Sequence, residues 1–475
     1  MLTTVEQIQK SIHEFLYGNV SAFPLTDAGT GKLFSLVFQN QHRYNTTEKR
    51  WFSYDGIRWK PDEESVQTEK SAKLFAAAYL AWAVEERPRD QKYLPALVKL
   101  QNIGNLRRVL QAAKSDYPMA AADIDKDGWL FNCQNGIYDL QEMKLIDHEA
   151  GFLLSEVSNV VYDPNASSTE WERFLSEIMQ ADTKKIKYLQ RCVGYALLGN
   201  PTEEKAFVLW GRTTRNGKST FTETLLHMFG SYGKTMQPES LAMTKNKNGS
   251  SASPDVARLA DCRFLNVSEP PQGMYLDAQL LKQLTGRDTI VARGLYQNSF
   301  EFRPKFTLFM NTNYLPTISD STVFSSDRLS VVTFDRHFSN SEQDKHLKER
   351  LAQPENISGI FNWCLQGVRE YREHGLNPPA TVLHATSEYA GSQDKVQQYL
   401  DDTYEPSEGH NIPVSKAYRL YEAWCADNGL QAFGKQRFIE ELKRKEVYKK
   451  TGTCDGRSVR NVLTGYQLII RLRTA

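Results

Sequence analysis

The sequence has few of the features that mark secreted, membrane or metal-rich proteins. Its six cysteines in 475 residues are widely scattered, with neither the paired spacing of a zinc site nor a dense disulfide pattern. The longest apolar run, 74–84, is too short to cross a bilayer and predicts a buried helix. We therefore expect a cytoplasmic protein without membrane partners or a signal peptide, because Met1 opens a polar, charged segment.

A strong charge of one sign is also missing. Lys and Arg total 58 against 57 Asp and Glu, so the net charge of +1 gives no overall sign of nucleic-acid binding. Any such surface must be local, and the basic C-terminal stretch offers a candidate at Lys443, Arg444 and Lys445. A solvated basic helix face explains the same residues equally well.

The most informative feature present is a strand–loop–helix pattern in the middle of the chain. The apolar segment 206–210 leads into the loop GRTTRNGKST, and a helical pattern with one apolar face follows. Backbone N–H groups of such a loop and of the helix N-terminus converge on phosphate oxygens. We expect ATP and Mg²⁺ as cofactors, with Lys218 on the β/γ-phosphates and Ser219 on the metal. The predicted nucleotide-binding residues are Gly211, Asn216, Gly217, Lys218, Ser219 and Thr220.

The spacing of this loop departs from the usual motif. Five residues, rather than four, separate Gly211 from Gly217, which predicts a loop one residue longer. The close approach of backbone to phosphate depends on 216–219, which are intact. A second Gly-Lys pair, Gly31-Lys32, lacks both a preceding apolar strand and a following Ser or Thr, and is predicted to be an ordinary loop.

Periodicity and composition divide the chain into four regions and predict an α/β fold with a phosphate-loop ATPase core. Alternating strands and helices in the second region indicate a parallel sheet. In the last region, polar residues 401–413 read as a linker, followed by two helices and a hairpin that turns at Thr464-Gly465, which suggests a winged helix-turn-helix. The regions are an N-terminal α+β and helical domain (1–193), the ATPase core (194–337), a helical stretch (338–400) and the C-terminal module (401–475).

Polar residues at the ends of later strands complete a candidate catalytic site. Glu269 follows the strand 263–267 and could activate water and complete the magnesium shell, although a solvated strand-end glutamate is the alternative. Asn313 follows the strand 306–310 and could read the γ-phosphate, or form a turn before the next proline. Arg328 could act as an arginine finger in a neighbouring subunit, or form a salt bridge within its own chain.

Three runs make a family resemblance specific. The segments LKQLTGRDTIVARGLYQNSFEFRP (281–304), FMNTNYLP (309–316) and DRLSVVTF (327–334) resemble superfamily-3 helicases. The similarity is greatest to the ATPase half of phage and plasmid primase-helicases and their poxvirus relatives. It extends over most of the chain, since 128–140 and 171–199 look like the helical domain before this ATPase and 359–379 looks like its lid. Ser268 departs from the acidic residue that many motor ATPases carry.

The resemblance implies an AAA+-like core, a hexameric ring with ATP at subunit interfaces, and 3′ to 5′ movement on DNA. It places a channel hairpin around 293–297, where Arg293 can pair with phosphate and Tyr296 can stack on a base or lie in a core. The remaining DNA candidates of this segment are Lys282, Arg287 and Gln297. Because we expect no upstream primase domain, a separate primase or replication initiator is a candidate partner.

The leading hypothesis is a replicative DNA helicase of a phage, prophage or mobile element, acting on single-stranded or forked DNA in a bacterial host. One alternative is an ATP-driven nucleoprotein remodeller or packaging motor that separates no strands. Another is a non-enzymatic origin-binding or scaffold protein that holds a nucleotide only as a structural ligand. Strand release from a forked duplex distinguishes the helicase from the remodeller or packaging motor.

Overall fold

The computed structural model describes residues 1–243, 254–294, 299–320 and 322–469 of the chain. Its first part consists of α1 (Val5–Leu16), α2 (Asp27–Phe38), β1 (His42–Asn45), β2 (Arg50–Tyr54), β3 (Trp59–Pro61), α3 (Val66–Glu86), α4 (Tyr93–Leu100) and α5 (Ile103–Ala113). The helices share one apolar core, and the strands pair antiparallel in the order β1–β2–β3. This mixture of helices and antiparallel strands agrees with the α+β prediction for this part.

The Gly31-Lys32 pair lies inside α2, so the prediction of an ordinary loop there is wrong. The Thr26 side chain caps this helix by accepting a hydrogen bond from the backbone N–H of Gly29 at 3.1 Å. Most of the apolar segment 33–38 is buried against α5 and neighbouring helices. Capping and burial together outweigh the low helix propensity of the two glycines.

A second part connects these elements to the centre of the protein through β4 (Leu130–Cys133), β5 (Gly136–Asp139), β6 (Lys144–Ile146), α6 (Thr169–Ile178) and α7 (Thr183–Leu197). Strands β4, β5 and β6 pair antiparallel in that order. Trp171 of α6 stacks on Phe221, with ring centroids 5.5 Å apart. The hydroxyls of Tyr188 in α7 and Ser330 are hydrogen-bonded at 2.6 Å. One hydrophobic core therefore continues across the domain boundary predicted at residue 193.

The central region alternates strands and helices as the sequence predicts. Its elements are β7 (Ala206–Trp210), α8 (Lys218–Phe229), β8 (Gly233–Met236), α9 (Pro254–Ala257), β9 (Phe264–Ser268), α10 (Ala278–Thr285), β10 (Ile290–Arg293), β11 (Ser299–Phe302), β12 (Thr307–Thr312), α11 (Thr322–Ser325) and β13 (Leu329–Thr333). Among the described residues, five of these strands form one parallel sheet in the order β13–β7–β12–β9–β8. The predicted α/β class is confirmed.

Both faces of this sheet are covered, as a parallel sheet requires. On one face the rings of Phe207, Phe309, Phe264 and Phe229 pack in succession, with centroids 5.2, 4.7 and 5.1 Å apart. The alternate residues of the same strands, such as Val208, belong to a second apolar cluster on the other face. Because the strands are parallel, their carboxyl ends meet at one edge of the sheet, where the predicted catalytic residues Glu269 and Asn313 follow them.

A helical region with α12 (Leu347–Leu351), α13 (Pro354–His374) and α14 (Ala380–Gln393) follows the sheet. Most of the lid-like segment 359–379 belongs to α13, which ends before Gly375, a glycine with φ 65°. Helix α13 crosses α7 where Gly194 meets Gly367. A Cβ on Gly194 would lie 2.3 Å from the Gly367 carbonyl carbon, so this close crossing requires the missing side chain.

The C-terminal module has its own apolar core. It consists of α15 (Lys395–Thr403), β14 (Tyr404–Pro413), α16 (Val414–Asp427), α17 (Lys435–Arg444), β15 (Tyr448–Cys454) and β16 (Arg457–Leu468). The two helices predicted from periodicity correspond to α16 and α17. The strands form an antiparallel sheet in the order β14–β16–β15.

Two predictions for this module are wrong. The segment 401–413, expected to be a linker, is the end of α15 followed by β14, because pairing with β16 stabilises a strand of polar residues. Of the hairpin expected over 459–472, residues 459–468 lie in the single strand β16, and the chain reverses instead between β15 and β16 at Asp455-Gly456. Gly465, with φ 81°, lies beside a register shift between β14 and β16, so this glycine marks an irregularity rather than a turn.

The six cysteines are buried free thiols, and five of them belong to three separate apolar cores. Within the described ranges, no helix combines the length and hydrophobicity needed to cross a bilayer. The apolar run 74–84 lies in α3 and contributes to the N-terminal core, as predicted.

Candidate active site

The loop between β7 and α8 places a helix N-terminus at the carboxyl edge of the sheet. Gly217 caps α8 with φ 86°, a conformation that favours glycine. A Cβ at this position would lie 2.3 Å from Cγ2 of Ile178, so the site excludes side chains for steric reasons too. No side chain caps the first N–H groups of α8, which leaves them available to an anion.

Lys218, the first residue of α8, is a buried cation without an anionic partner. Its Nζ donates hydrogen bonds to Asn313 Oδ1 at 2.8 Å and to Asn216 Oδ1 at 3.0 Å, and the residue is only 6% exposed. No carboxylate of the described residues lies within ion-pair distance of this ammonium. Burial lowers the pKa of Lys218 to about 8, and the negative charge of Glu269 opposes this only in part.

The predicted strand-end residues meet at this same edge. Asn313 and Glu269 follow β12 and β9, which are neighbours in the sheet with Asn311 paired to Ser268. The backbone N–H of Glu269 donates to the carbonyl of Asn311 at 2.9 Å. Glu269 is exposed and has φ 55°, an unfavourable backbone conformation for a residue with a side chain. The structure thus brings Lys218, Asn313 and Glu269 together around one open edge.

A chain of polar side chains that sequence reasoning missed runs beneath these residues. Asn311 Nδ2 donates to Thr222 Oγ1 at 2.6 Å and to Asn266 Oδ1 at 3.2 Å. Asn266 Nδ2 in turn donates to Ser268 Oγ at 2.7 Å. Asn311 Oδ1 is buried with no partner among the described residues. The available signal was an asparagine inside each of two otherwise apolar strands.

Contacts with the segment after β13 hold the loop between β7 and α8 in place. Asn216 Nδ2 donates to the carbonyl of Thr213 at 2.5 Å, which closes the loop on itself. The His337 ring donates to the Thr214 carbonyl at 2.9 Å, and the Phe338 backbone N–H donates to the Arg215 carbonyl at 2.8 Å. The extra residue therefore packs against segment 337–338, while 216–219 keep a helix-capping geometry.

The residues present fit a nucleotide with magnesium better than a protein-only metal centre. Across the described residues, no group of three or more His, Cys, Asp or Glu side chains could hold a metal ion. Ser219 and Thr220 follow Lys218 in the first turn of α8. Ser219 is exposed and Thr220 is half-buried. Magnesium that is bound together with phosphate needs only one or two protein ligands, which Ser219 and Glu269 can supply.

Arg328 lies apart from this group. It precedes β13 at the amino edge of the sheet, whereas Lys218 lies at the carboxyl edge. Its guanidinium pairs with Glu204 at 2.8 Å and donates to Thr285 Oγ1 at 3.1 Å. The intrachain salt bridge considered from the sequence is present, although its acid is Glu204 rather than a neighbour in sequence.

The candidate channel hairpin is partly described. Strands β10 and β11 pair antiparallel with Arg293 opposite Ser299, and Arg293 is exposed. Tyr296 and Gln297 lie outside the described residues. Lys282 forms an ion pair with Asp320 at 2.6 Å, and exposed Arg287 donates to the Thr202 carbonyl at 3.1 Å. Lys282 therefore serves a contact within the chain.

The basic residues predicted at the C-terminus are largely engaged as well. Arg444 pairs with Glu441 at 3.1 Å, and Lys445 forms an ion pair with Asp394. Lys443 is exposed, with its Nζ 5.1 Å from the centre of the Tyr448 ring.

Three family models match successive parts of the chain. They are described as "D5 N terminal like" over residues 31–180, "Family of unknown function (DUF5906)" over 209–328 and "Poxvirus D5 protein-like" over 392–468. The middle match covers the loop between β7 and α8, Glu269, Asn313 and Arg328. The last match begins close to α15, which agrees with the structural start of the C-terminal module.

Curated viral proteins are similar over half to two-thirds of the chain. "Putative helicase L207/L206" of Acanthamoeba polyphaga mimivirus is 29% identical over 66% of this chain and 34% of its own length. "Putative helicase 022R" of Frog virus 3 is 27% identical over 60% and 30%, and "Primase D5" of Fowlpox virus is 23% identical over 50% and 31%. The chain thus spans about a third of the length of these relatives.

A solved structure shares the fold. The apo structure of the NrS-1 C-terminal region has a TM-score of 0.52 and 11% identity, with 92% of this chain and 99% of that chain covered. Successive parts of the chain are thus similar to D5-type family models and to viral proteins named as helicases or as a primase.

Proposed function

We propose that this chain is the ATPase part of a viral or mobile-element replicative helicase, which binds MgATP at Lys218 and uses its hydrolysis to separate DNA strands. The names of the viral relatives support a role in replication. The resemblance to superfamily-3 helicases adds a ring, with six subunits and 3′ to 5′ movement, as parts of the same proposal.

One observation supports the assignment of a nucleotide-binding site most strongly. Lys218 is a buried ammonium that is held only by the neutral amide oxygens of Asn216 and Asn313. A buried charge with no counterion is costly, so the site favours a ligand that supplies negative charge. The unblocked N-terminus of α8 and the side-chain-free Gly217 favour the same ligand, a polyphosphate.

The residues around this position have distinct tasks in hydrolysis. Lys218 neutralises charge on the β/γ-phosphates. Because the phosphate then competes for the Lys218 ammonium, Asn313 is released from part of its contact with Lys218 and orients the γ-phosphate or the attacking water. Glu269 is exposed at the edge and accepts a proton from that water. Ser219 and Glu269 hold the magnesium ion, which when bound polarises the phosphoryl oxygens.

The position of Arg328 is consistent with a role in the active site of a neighbouring subunit. It lies at the edge of the sheet opposite Lys218 and so acts on a site only in a neighbouring copy. Its contact with Glu204 keeps the guanidinium oriented, with the side chain 18% exposed. An arginine that completes a neighbouring site accelerates phosphoryl transfer by about 10³ to 10⁵.

The C-terminal module is proposed to be a winged helix-turn-helix that contacts DNA or a replication partner. Its helix–strand–helix–helix–strand–strand order supports this, with α16 and α17 as the helix pair and the β15–β16 hairpin as the wing. A separate primase or initiator is the partner that the resemblance favours.

Strand release from a forked DNA duplex tests the proposal. Wild-type protein with MgATP should release the labelled strand, and Glu269→Gln should abolish both release and ATP hydrolysis. Glu239→Gln, which removes an equally exposed glutamate outside the site, should behave as wild type. ATP hydrolysis without strand release would favour a remodeller, and hydrolysis that persists in Glu269→Gln would refute the assigned site.

A further inference from the structure

The wing of the C-terminal module carries a cluster of exposed basic and hydroxyl side chains. In β15 and β16, Thr451 pairs with Arg460 and Thr453 with Ser458. Directly opposite residues and residues two apart share a face, so these four side chains lie on the same side of the hairpin, and Lys449 lies two residues before Thr451 along β15. All five are exposed. Val462, the residue paired with Lys449, is buried, and the positive φ of Asn461 (58°) interrupts the alternation of β16 between Arg460 and Val462.

This face is free of the contacts that engage Arg437, Arg444 and Lys445 of the same module. Within the part of the chain that the structure describes, neither Lys449 nor Arg460 forms an ion pair. In contrast, the α17 cations Arg437 and Arg444 contact the Ser319 carbonyl and Glu441, and Lys445 pairs with Asp394.

No acidic residue occurs in 448–454 or 457–462, and the one acid of this hairpin, Asp455, lies in its turn. Cationic and hydroxyl groups are the side chains that contact DNA phosphates most often. The charge and chemistry of the face are therefore complementary to a sugar-phosphate backbone.

We propose that the Lys449–Arg460 face of the wing binds the backbone of double-stranded DNA, and that α17 instead attaches the module to the ATPase core. The absence of an aromatic side chain among the five residues of this face favours duplex over single-stranded DNA, since single strands are held by base stacking on aromatic platforms. The inference rests on the proposed function in taking DNA as the ligand.

The attachment through α17 is specific. Arg437 of α17 donates to the carbonyl of Ser319, and Gln393, the last residue of α14 just before the module, accepts at its Oε1 from the backbone N–H of Ile318 at 2.9 Å. Both contacts are on the segment that follows Asn313. The part of the module that touches the core is thus separate from the wing face, which remains open to a ligand.

Fluorescence anisotropy with a labelled blunt duplex, without nucleotide and with the full chain, tests this assignment. Lys449→Ala/Arg460→Ala should weaken duplex binding by about tenfold and reduce the slope of log affinity against log salt by about 1.8, since each lost phosphate contact removes about 0.9. Lys416→Ala/Arg419→Ala removes the same charge from exposed positions of α16 and should change neither quantity.

The charge-conserving variant Lys449→Arg/Arg460→Lys should retain wild-type affinity and salt slope, which excludes a loss through misfolding. Wild-type affinity in the alanine variant, or an equal loss in the α16 control, would overturn the wing assignment. Weakened binding to a single-stranded probe with unchanged duplex binding would overturn the choice of duplex. ATP hydrolysis stimulated by single-stranded DNA should persist in the alanine variant, and its absence in wild type would contradict the proposed function instead.

Discussion

Asn313 Oδ1 accepts a hydrogen bond from Lys218 Nζ at 2.8 Å, which joins the residue after β12 to the first residue of α8. These residues are 95 positions apart in the chain. The contact places a neutral acceptor where a charged lysine is buried, so the ammonium is held in position without being neutralised. This arrangement leaves the lysine charge for a ligand.

Replacing Asn313 with aspartate should impair ATP binding more than replacing it with alanine. The aspartate would add a carboxylate within hydrogen-bond distance of Lys218 and form an internal ion pair that competes with phosphate. Alanine removes only the acceptor, and should mainly lower kcat, by about 10². Steady-state ATP hydrolysis gives KM and kcat for both variants. An aspartate variant that binds ATP as tightly as the alanine variant would contradict the role of the uncompensated charge.

Nucleotide affinity should fall as pH rises above 8. The pKa of Lys218 is lowered to about 8 by burial, so the free protein loses the lysine charge above that pH. If the charged form binds, affinity decreases about tenfold between pH 7 and pH 9, because the protonated fraction decreases by that factor. Titration of a non-hydrolysable ATP analogue at both pH values measures this. Lys218→Arg, which stays protonated, should show no such decrease, and a decrease of equal size there would assign the effect to another group.

The N-terminal core should lose stability in acid because of His42. Its ring is 7% exposed and bonded to Ser53 and Ser71 hydroxyls at 2.9 and 2.8 Å, and burial lowers its pKa to about 4. As the pH is lowered from 6.5 to 4, the unfolded chain gains a proton at this residue and the folded chain does not. The free energy of unfolding therefore decreases as the pH is lowered. The loss reaches about 3 kcal/mol.

Amide hydrogen exchange in peptides covering 42–54, compared at pH-corrected rates, measures the local free energy of opening. His42→Gln should be less stable near pH 7 but should lack most of the additional loss in acid. The same acid dependence in wild type and variant would show that carboxylates, rather than His42, control it.

Mixing two inactive variants should restore activity if Arg328 acts between subunits. In a mixture of Arg328→Ala and Lys218→Ala, some interfaces combine an intact lysine from one subunit with an intact arginine from the next. ATP hydrolysis by the mixture should exceed the sum of the separate proteins. If Arg328 serves only its salt bridge with Glu204, mixing restores nothing and Glu204→Gln reproduces the Arg328→Ala defect.

Much of the active-site edge could be predicted from the sequence, because it depends on local patterns. The apolar strand β7, the loop glycine Gly217 and the polar residues that end β9 and β12 are all visible as short motifs. Parallel strands then bring their carboxyl ends together, which predicts the meeting of Glu269 and Asn313 at one edge.

What could not be predicted depends on contacts between distant residues. The bond between Asn311 and Thr222 spans 89 positions, and the partner of Arg328 is 124 positions away. Strand β14 was missed for the same reason, since its polar residues form a strand only by pairing with β16. The turn predicted at Gly465 is wrong because a glycine at a sheet irregularity and a glycine in a hairpin turn give the same local signal.

The central claim is that the buried ammonium of Lys218 binds a polyphosphate. Calorimetric titration of wild type and Lys218→Ala with a non-hydrolysable MgATP analogue tests this claim most directly. We predict saturable one-site binding to wild type at pH 7 and a loss of at least about tenfold in affinity for the variant, with unchanged thermal unfolding in the absence of nucleotide. Equal affinity for both proteins, or no binding to wild type, would contradict the account.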